Sequence, residues 1–181
     1  MSLWGIGYGV WRNLIRRVPL FVLARAVVYA SLFVGFLLIA LPNEILSRSG
    51  ITRPPVVGVI ELAGLAISLA GAALVLACVL TFVFVGKGTQ APFDPPRRLV
   101  ISGPYRFVRN PMYLGATLAL GGAAIFYRSP ALVVYAAVLI LATHLFVTAC
   151  EEPVLERTFG EAYRTYRQTT GRWIPRGHTR P

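Results

Sequence analysis

The chain has 181 residues, 56% of them hydrophobic and only 14% charged, with a net charge of +11. So apolar a chain of this length is not an ordinary soluble domain; it needs a bilayer as part of its solvent. The arginines are distributed by membrane side rather than gathered in a soluble patch, which argues against a nucleic-acid partner.

In chain order, residues 1–17 carry Trp4, Tyr8 and Trp11 at helical spacing and predict a segment lying at the headgroup level. The apolar run 18–41 lacks a small-residue cleavage site and reads as a retained anchor. A second run, 56–86, carries Gly64, Ser68 and Ala72 at four-residue spacing, a small-residue stripe that lets another helix approach closely. Residues 87–110 form a connection punctuated by Gly88, Pro92, Pro95 and Pro96, which rules out a long regular element. Asn110 and Pro111 then signal a helix start, since Asn caps orphan amides and Pro suits the first helical position.

The helix they open is apolar to Tyr127, breaks at Arg128, Ser129 and Pro130, and is followed by a second apolar run, 131–149. The two make a hairpin whose open ends differ in depth by only roughly 6 Å. Its first arm, at about 16 residues, spans roughly 24 Å and need not reach the far surface. Beyond it, Leu155, Phe159, Tyr163 and Tyr166 recur at helical spacing and predict one short amphipathic helix in the tail, 151–181. The fold class is therefore an all-α integral membrane protein in one domain, with about four transmembrane helices, a short C-terminal hairpin and a cytoplasmic tail helix. Arg12, Arg16, Arg17, Lys87, Arg97, Arg98, Arg106 and Arg109 and the six arginines between 157 and 180 put both termini in the cytoplasm. Cys78 and Cys150 show neither metal nor disulfide spacing, and no metal site is expected.

Two places carry chemistry. Glu151 and Glu152 extend a polar stripe through His144 and Thr148 on one side of the last apolar helix, and acids at a helix C-terminus call for a cationic partner. That partner is either Arg109 or Arg106 in a salt bridge, or a positively charged ligand. Opposite them, the free amides at the start of the preceding helix, flanked by Arg109, attract an anion. A zwitterion bearing a carboxylate and an ammonium satisfies both halves, and such a molecule is an amino acid or a cofactor built on one. Arg25 and Glu61, the other ionisable residues inside apolar runs, lie at opposite depths and do not pair. Arg25 is expected to snorkel, and Glu61 to make an outer-side helix contact.

The segment Arg109, Asn110, Pro111, Tyr113 and Gly115, followed after a hairpin by Glu151 and Glu152, resembles the signature of the integral membrane methyltransferases. That family includes isoprenylcysteine carboxyl methyltransferases and phospholipid N-methyltransferases, and the chain looks like a bacterial-type member. Phe159, Gly160, Tyr163, Tyr166 and Pro175 fit the same pattern. The resemblance implies S-adenosylmethionine as cofactor, bound by Tyr105, Arg109, Asn110, Pro111, Tyr113, Gly115, Glu151 and Glu152, with Glu151 the favoured ligand of the ammonium. It implies Arg109 and Glu152 as catalytic residues. His144, deeper along the same stripe, is either a hydrogen-bonded interhelical residue or a base for an amine or other neutral nucleophile. The acceptor would be lipophilic, a phospholipid amine or an isoprenylcysteine-like carboxylate, reached from the lipids of a bacterial inner membrane. Asn110 replaces a histidine of many relatives. Val147 replaces an arginine thought to engage the prenylcysteine carboxylate, which weakens that acceptor. The alternative is a non-catalytic scaffold or lipid-binding protein that retains the fold; the oligomeric state is left open.

Overall fold

The computed structural model of the chain describes residues 34–51, 57–86 and 99–176, together with positions 28 and 32. The interfacial N-terminal segment, most of the first apolar run with Arg25, and the proline-rich middle of the connection lie outside the described residues. Within them every regular element is helical. A π-helical turn, Gly35–Ala40, runs into α1, Leu41–Arg48. Helix α2 is Val59–Thr81, prolonged by a π turn at Phe82–Gly86. After a short 3-10 turn, Gly103–Arg106, comes α3, Pro111–Phe126, and then α4, Pro130–Phe146. A π turn, Val147–Glu151, joins α4 to α5, Glu152–Phe159, and α6 is Glu161–Thr169.

Two of these helices are long and apolar enough to cross a bilayer, Val59–Val85 and Pro130–Phe159. Helix α3, at 16 residues, is short of a full span, as its sequence predicted. The first helix continues past Leu41, and the last apolar helix does not stop before the glutamates. In both cases a π turn precedes a proline, Pro42 or Pro153, near the start of the next helical stretch. Proline lacks an N–H and its ring collides with the carbonyl four residues earlier, and a widened turn accommodates that defect without ending the helix. The glutamates therefore lie inside a continuous helix rather than at a helix C-terminus. The macrodipole argument for a compensating cation does not apply there; burial supplies the reason instead.

Helices α2 and α3 cross at backbone contact distance. A Cβ on Gly64 would lie 2.7 Å from the Phe126 nitrogen, and one on Gly115 would lie 2.9 Å from the Gly71 carbonyl. Ser68 Oγ donates to the Ala119 carbonyl at 2.9 Å. The small-residue stripe thus runs Gly64, Ser68, Gly71, whereas Ala72 is exposed. Two helical turns take seven residues rather than eight, which is why Gly71 faces α3.

At the other end of these helices Glu61, 1% exposed, holds two groups. Its Oε2 accepts from the Gly58 amide at 2.8 Å, capping α2, and its Oε1 accepts from Arg128 Nε at 2.5 Å. The outer-side contact expected of Glu61 is therefore a clasp on the turn of the α3–α4 hairpin, where Arg128 has φ 48°. Ser129 Oγ accepts from the Leu132 amide at 3.3 Å and starts α4. Tyr135 donates to the Leu37 carbonyl at 2.8 Å, tying α4 to the first helix.

The tail is not one helix. Gly160, at φ 52° and ψ −125°, breaks it into α5 and α6, in a region of backbone space that only glycine enters cheaply. The break turns α6 back so that Tyr163 and Tyr166 are buried. Val75, Cys78, Val100, Tyr105, Met112 and Ala116 form the core beneath them.

Candidate active site

The approach to α3 is fastened to the end of the tail. Val108 and Gly171 form an isolated parallel bridge, and the Arg109 amide donates to the Gly171 carbonyl at 2.8 Å. Asn110 makes no side-chain cap; its Nδ2 donates to the Arg172 carbonyl at 3.4 Å. The expected capping role is thus replaced by a tether. Pro111 occupies the first turn of α3 without needing a donor, as the sequence suggested. Tyr166 donates to the Tyr105 carbonyl at 2.5 Å, adding a second tie between α6 and the 3-10 turn.

Adjacent residues on a helix point about 100° apart, so Glu151 and Glu152 cannot share partners. Glu152, buried, receives Arg109 Nη1 at 3.0 Å and a two-pronged grip from Arg172, Nε at 2.7 Å and Nη2 at 2.9 Å. Hydrogen bonding to Glu152 raises the Arg172 guanidinium above its ordinary pKa, so the pair stays ionic. Arg109 also donates from Nη1 to Tyr163 Oη at 3.1 Å. Burial pushes the Tyr163 and Tyr105 phenols up, so both act as neutral hydrogen-bonding groups rather than phenolates. Of the two arginines weighed as partners, Arg106 instead lies over the Phe107 ring at 4.5 Å.

Glu151 pairs with no arginine among the described residues. Among the described residues its one hydrogen bond comes from Tyr113 Oη, at 3.1 Å. Both it and Arg109 line a cavity of about 130 Å³, whose polar end also includes Asn110, Tyr113 and Glu152. The rest of the wall is apolar, with Phe82, Leu99, Val100, Met112, Phe146 and Leu155 prominent. Arg109, whose side chain is 6% exposed, keeps its Nε buried without an acceptor among the described residues. A buried guanidinium N–H left unpaired is costly, and a carboxylate with a single neutral donor is short of positive charge. The residues of the cavity wall thus include one with an under-satisfied donor and one with an under-satisfied acceptor among the described residues.

Of the residues the sequence singled out, Tyr105, Arg109, Asn110, Tyr113, Glu151 and Glu152 line this cavity. Pro111 and Gly115 do not: both are buried, and Gly115 serves the crossing with α2. His144 lies outside it, with its Nδ1 at 3.2 Å from Trp173 Nε1. Arg172 and Trp173 were missed as site residues. Their sequence neighbourhood shows a basic, aromatic tail but contains no periodicity that folds it back, and the fold-back rests on the glycine break at Gly160 and the bridge at Gly171.

A chain helical through its described residues, with two membrane-length apolar helices, a short hairpin arm and a cavity at its open end lined by Arg109, Glu151 and Glu152, is a membrane protein with a charged site set in an apolar wall. The family model for phospholipid methyltransferases matches residues 59–162, more than half of the chain, and the chain belongs to that family. The match runs from the start of α2 into α6, so it contains both glutamates and the Arg109 segment. No curated protein sequence matches the chain.

Proposed function

We propose that the protein transfers a methyl group from S-adenosylmethionine to a lipophilic acceptor that enters from the bilayer. The observation that carries this is the pair of residues in the cavity wall that are short of partners among the described residues, Glu151 with one neutral donor and Arg109 with a buried Nε lacking an acceptor. A zwitterionic methionyl end fits both: Glu151 would take its ammonium and Arg109 its carboxylate. When bound, S-adenosylmethionine supplies a methyl group activated on a sulfonium.

The chain's own residues do the rest by orientation. Tyr113 fixes the Glu151 carboxylate through its hydroxyl, and its ring packs edge-on to Trp173, 6.5 Å between centroids. Glu152 acts as a positioning residue: gripped by Arg172, it holds Arg109 in place. Phe82, Phe146 and Leu155 exclude water from the reacting end, which favours displacement at carbon over hydrolysis. Family membership favours a phospholipid amine over a prenylcysteine carboxylate as acceptor. The arginine distribution supports a cytoplasmic side for the site and both termini in this reading.

The test is transfer of labelled methyl from S-adenosylmethionine to dioleoyl phosphatidylethanolamine in nanodiscs. Incorporation that is lost in Glu151→Gln supports the reading. Saturable cofactor binding with no transfer to any phospholipid or prenyl acceptor contradicts it and leaves the scaffold alternative ahead.

A further inference from the structure

His144 sits two helical turns before Glu151 on the same side of the α4–α5 helix, about 10 Å away along the axis. Its Nδ1 lies 3.2 Å from the indole Nε1 of Trp173. An indole N–H is a donor only, so the imidazole Nδ1 must be the acceptor. A neutral imidazole has one acceptor and one donor nitrogen, and the remaining proton is therefore on Nε2. In this arrangement the ring has no free lone pair with which to take a proton from a nucleophile. The role of base considered for His144 is at odds with the bond it makes.

The Nε2–H has no acceptor among the described residues, and it is not sealed inside the protein. Leu141 and Leu145, on either side of His144 in sequence, are 60% and 56% exposed, so this part of α4 faces lipid. Acyl chains carry no acceptor, so a donor at this surface is met only by the ester or phosphodiester oxygens of a lipid. Trp173 lies against both His144, 6.2 Å between ring centroids, and Tyr113, the hydroxyl of which binds Glu151. One aromatic ring thus connects the carboxylate at the cavity with the donor below it. Anionic phosphodiester oxygens make the stronger, charge-assisted bond with such a donor.

We infer that His144, locked by Trp173 as its Nε2–H tautomer, is a hydrogen-bond donor to the phosphodiester of the lipid acceptor, a positioning subsite rather than a base. Its purpose rests on the methyl-transfer reading, but its detection does not.

The chain contains two histidines, and His178→Gln leaves His144 as the sole imidazole for nitrogen NMR of 15N-histidine protein in maltoside detergent. The expected spectrum shows a protonated Nε2 and a bare Nδ1, with the Nε2 resonance moving saturably on titration with dioleoyl phosphatidylethanolamine and not with dioleoylglycerol. Trp173→Phe, which keeps a ring but removes the N–H, releases the tautomer. In the transfer assay His144→Leu raises the acceptor KM about tenfold with kcat little changed, and His144→Gln, which retains an N–H donor, recovers part of that loss. A proton on Nδ1, a resonance indifferent to the phospholipid, or one that moves equally with dioleoylglycerol overturns the subsite. So does a collapse of kcat in both variants at constant KM, which would make His144 a base. The NMR shift without any methyl transfer in the wild-type protein would retain the subsite and overturn the enzymatic reading.

Discussion

Glu151 and Glu152 are neighbours in sequence with different partners, and the difference makes separate predictions. Glu152→Gln removes the carboxylate from two arginines. Breaking a buried pair costs about 3–5 kcal/mol, so the variant is expected to melt roughly 10 °C lower, read by scanning fluorimetry in detergent. Glu151→Gln loses no salt bridge among the described residues, where its partner is the Tyr113 hydroxyl. Its melting temperature should stay within a few degrees while cofactor affinity falls about 10- to 100-fold, as for loss of a charged hydrogen bond. The sequence brought Arg109 to the depth of the acids but left Arg109, Arg106 and a cationic ligand open as their partner, and the structure pairs Arg109 with Glu152. The presence of Arg172 in the same cluster was not legible there, because a loop's return path depends on long-range contacts that local patterning does not encode.

Among the elements, the crossing of α2 and α3 sets how the hairpin presents its open end. Gly64→Val places a branched side chain where even a Cβ would lie 2.7 Å from the Phe126 backbone nitrogen, and overpacking of this kind costs about 1–3 kcal/mol. The expected result is a lower melting temperature and reduced cofactor affinity together, since α3 and the π turn that prolongs α2 carry walls of the cavity. Gly160→Ala tests the tail break independently. Its φ of 52° strains any residue with a Cβ by about 1–3 kcal/mol, and limited proteolysis after residue 160 should become faster as α6 loosens. Apolar run length, the Asn110–Pro111 start and the Arg128–Pro130 break revealed α2, α3 and α4; helical periodicity was the signal for the tail. It overextended the tail helix, where four aromatic and aliphatic residues keep the period across Gly160 although the backbone does not. It also missed the π turns that carry helices through Pro42 and Pro153, since a widened turn leaves no compositional mark.

For the molecule as a whole, a wide belt of exposed apolar side chains, including Leu62, Val133 and Leu141 at 55–60% exposure, is what a lipid-facing surface requires. The arginine bias predicts sidedness. With the native cysteines replaced, an impermeant maleimide applied to sealed right-side-out vesicles should label Ser47→Cys and leave Gln168→Cys protected until the vesicles are opened; the reverse pattern would invert the topology. The membrane class and the family were legible in composition and in the spacing of Arg109, Pro111, Tyr113 and the glutamates, whereas the orphaned Arg109 Nε emerges only once the tail has folded over the cavity. The central claim is that Glu151 and Arg109 await the two ends of a zwitterion, and calorimetric titration of S-adenosylmethionine into the wild-type protein and Glu151→Gln tests it most directly. Saturable binding to the wild type, weakened at least tenfold in a variant of unchanged melting temperature, is the predicted result; no binding to folded wild-type protein, or equal affinity in the two, would contradict it.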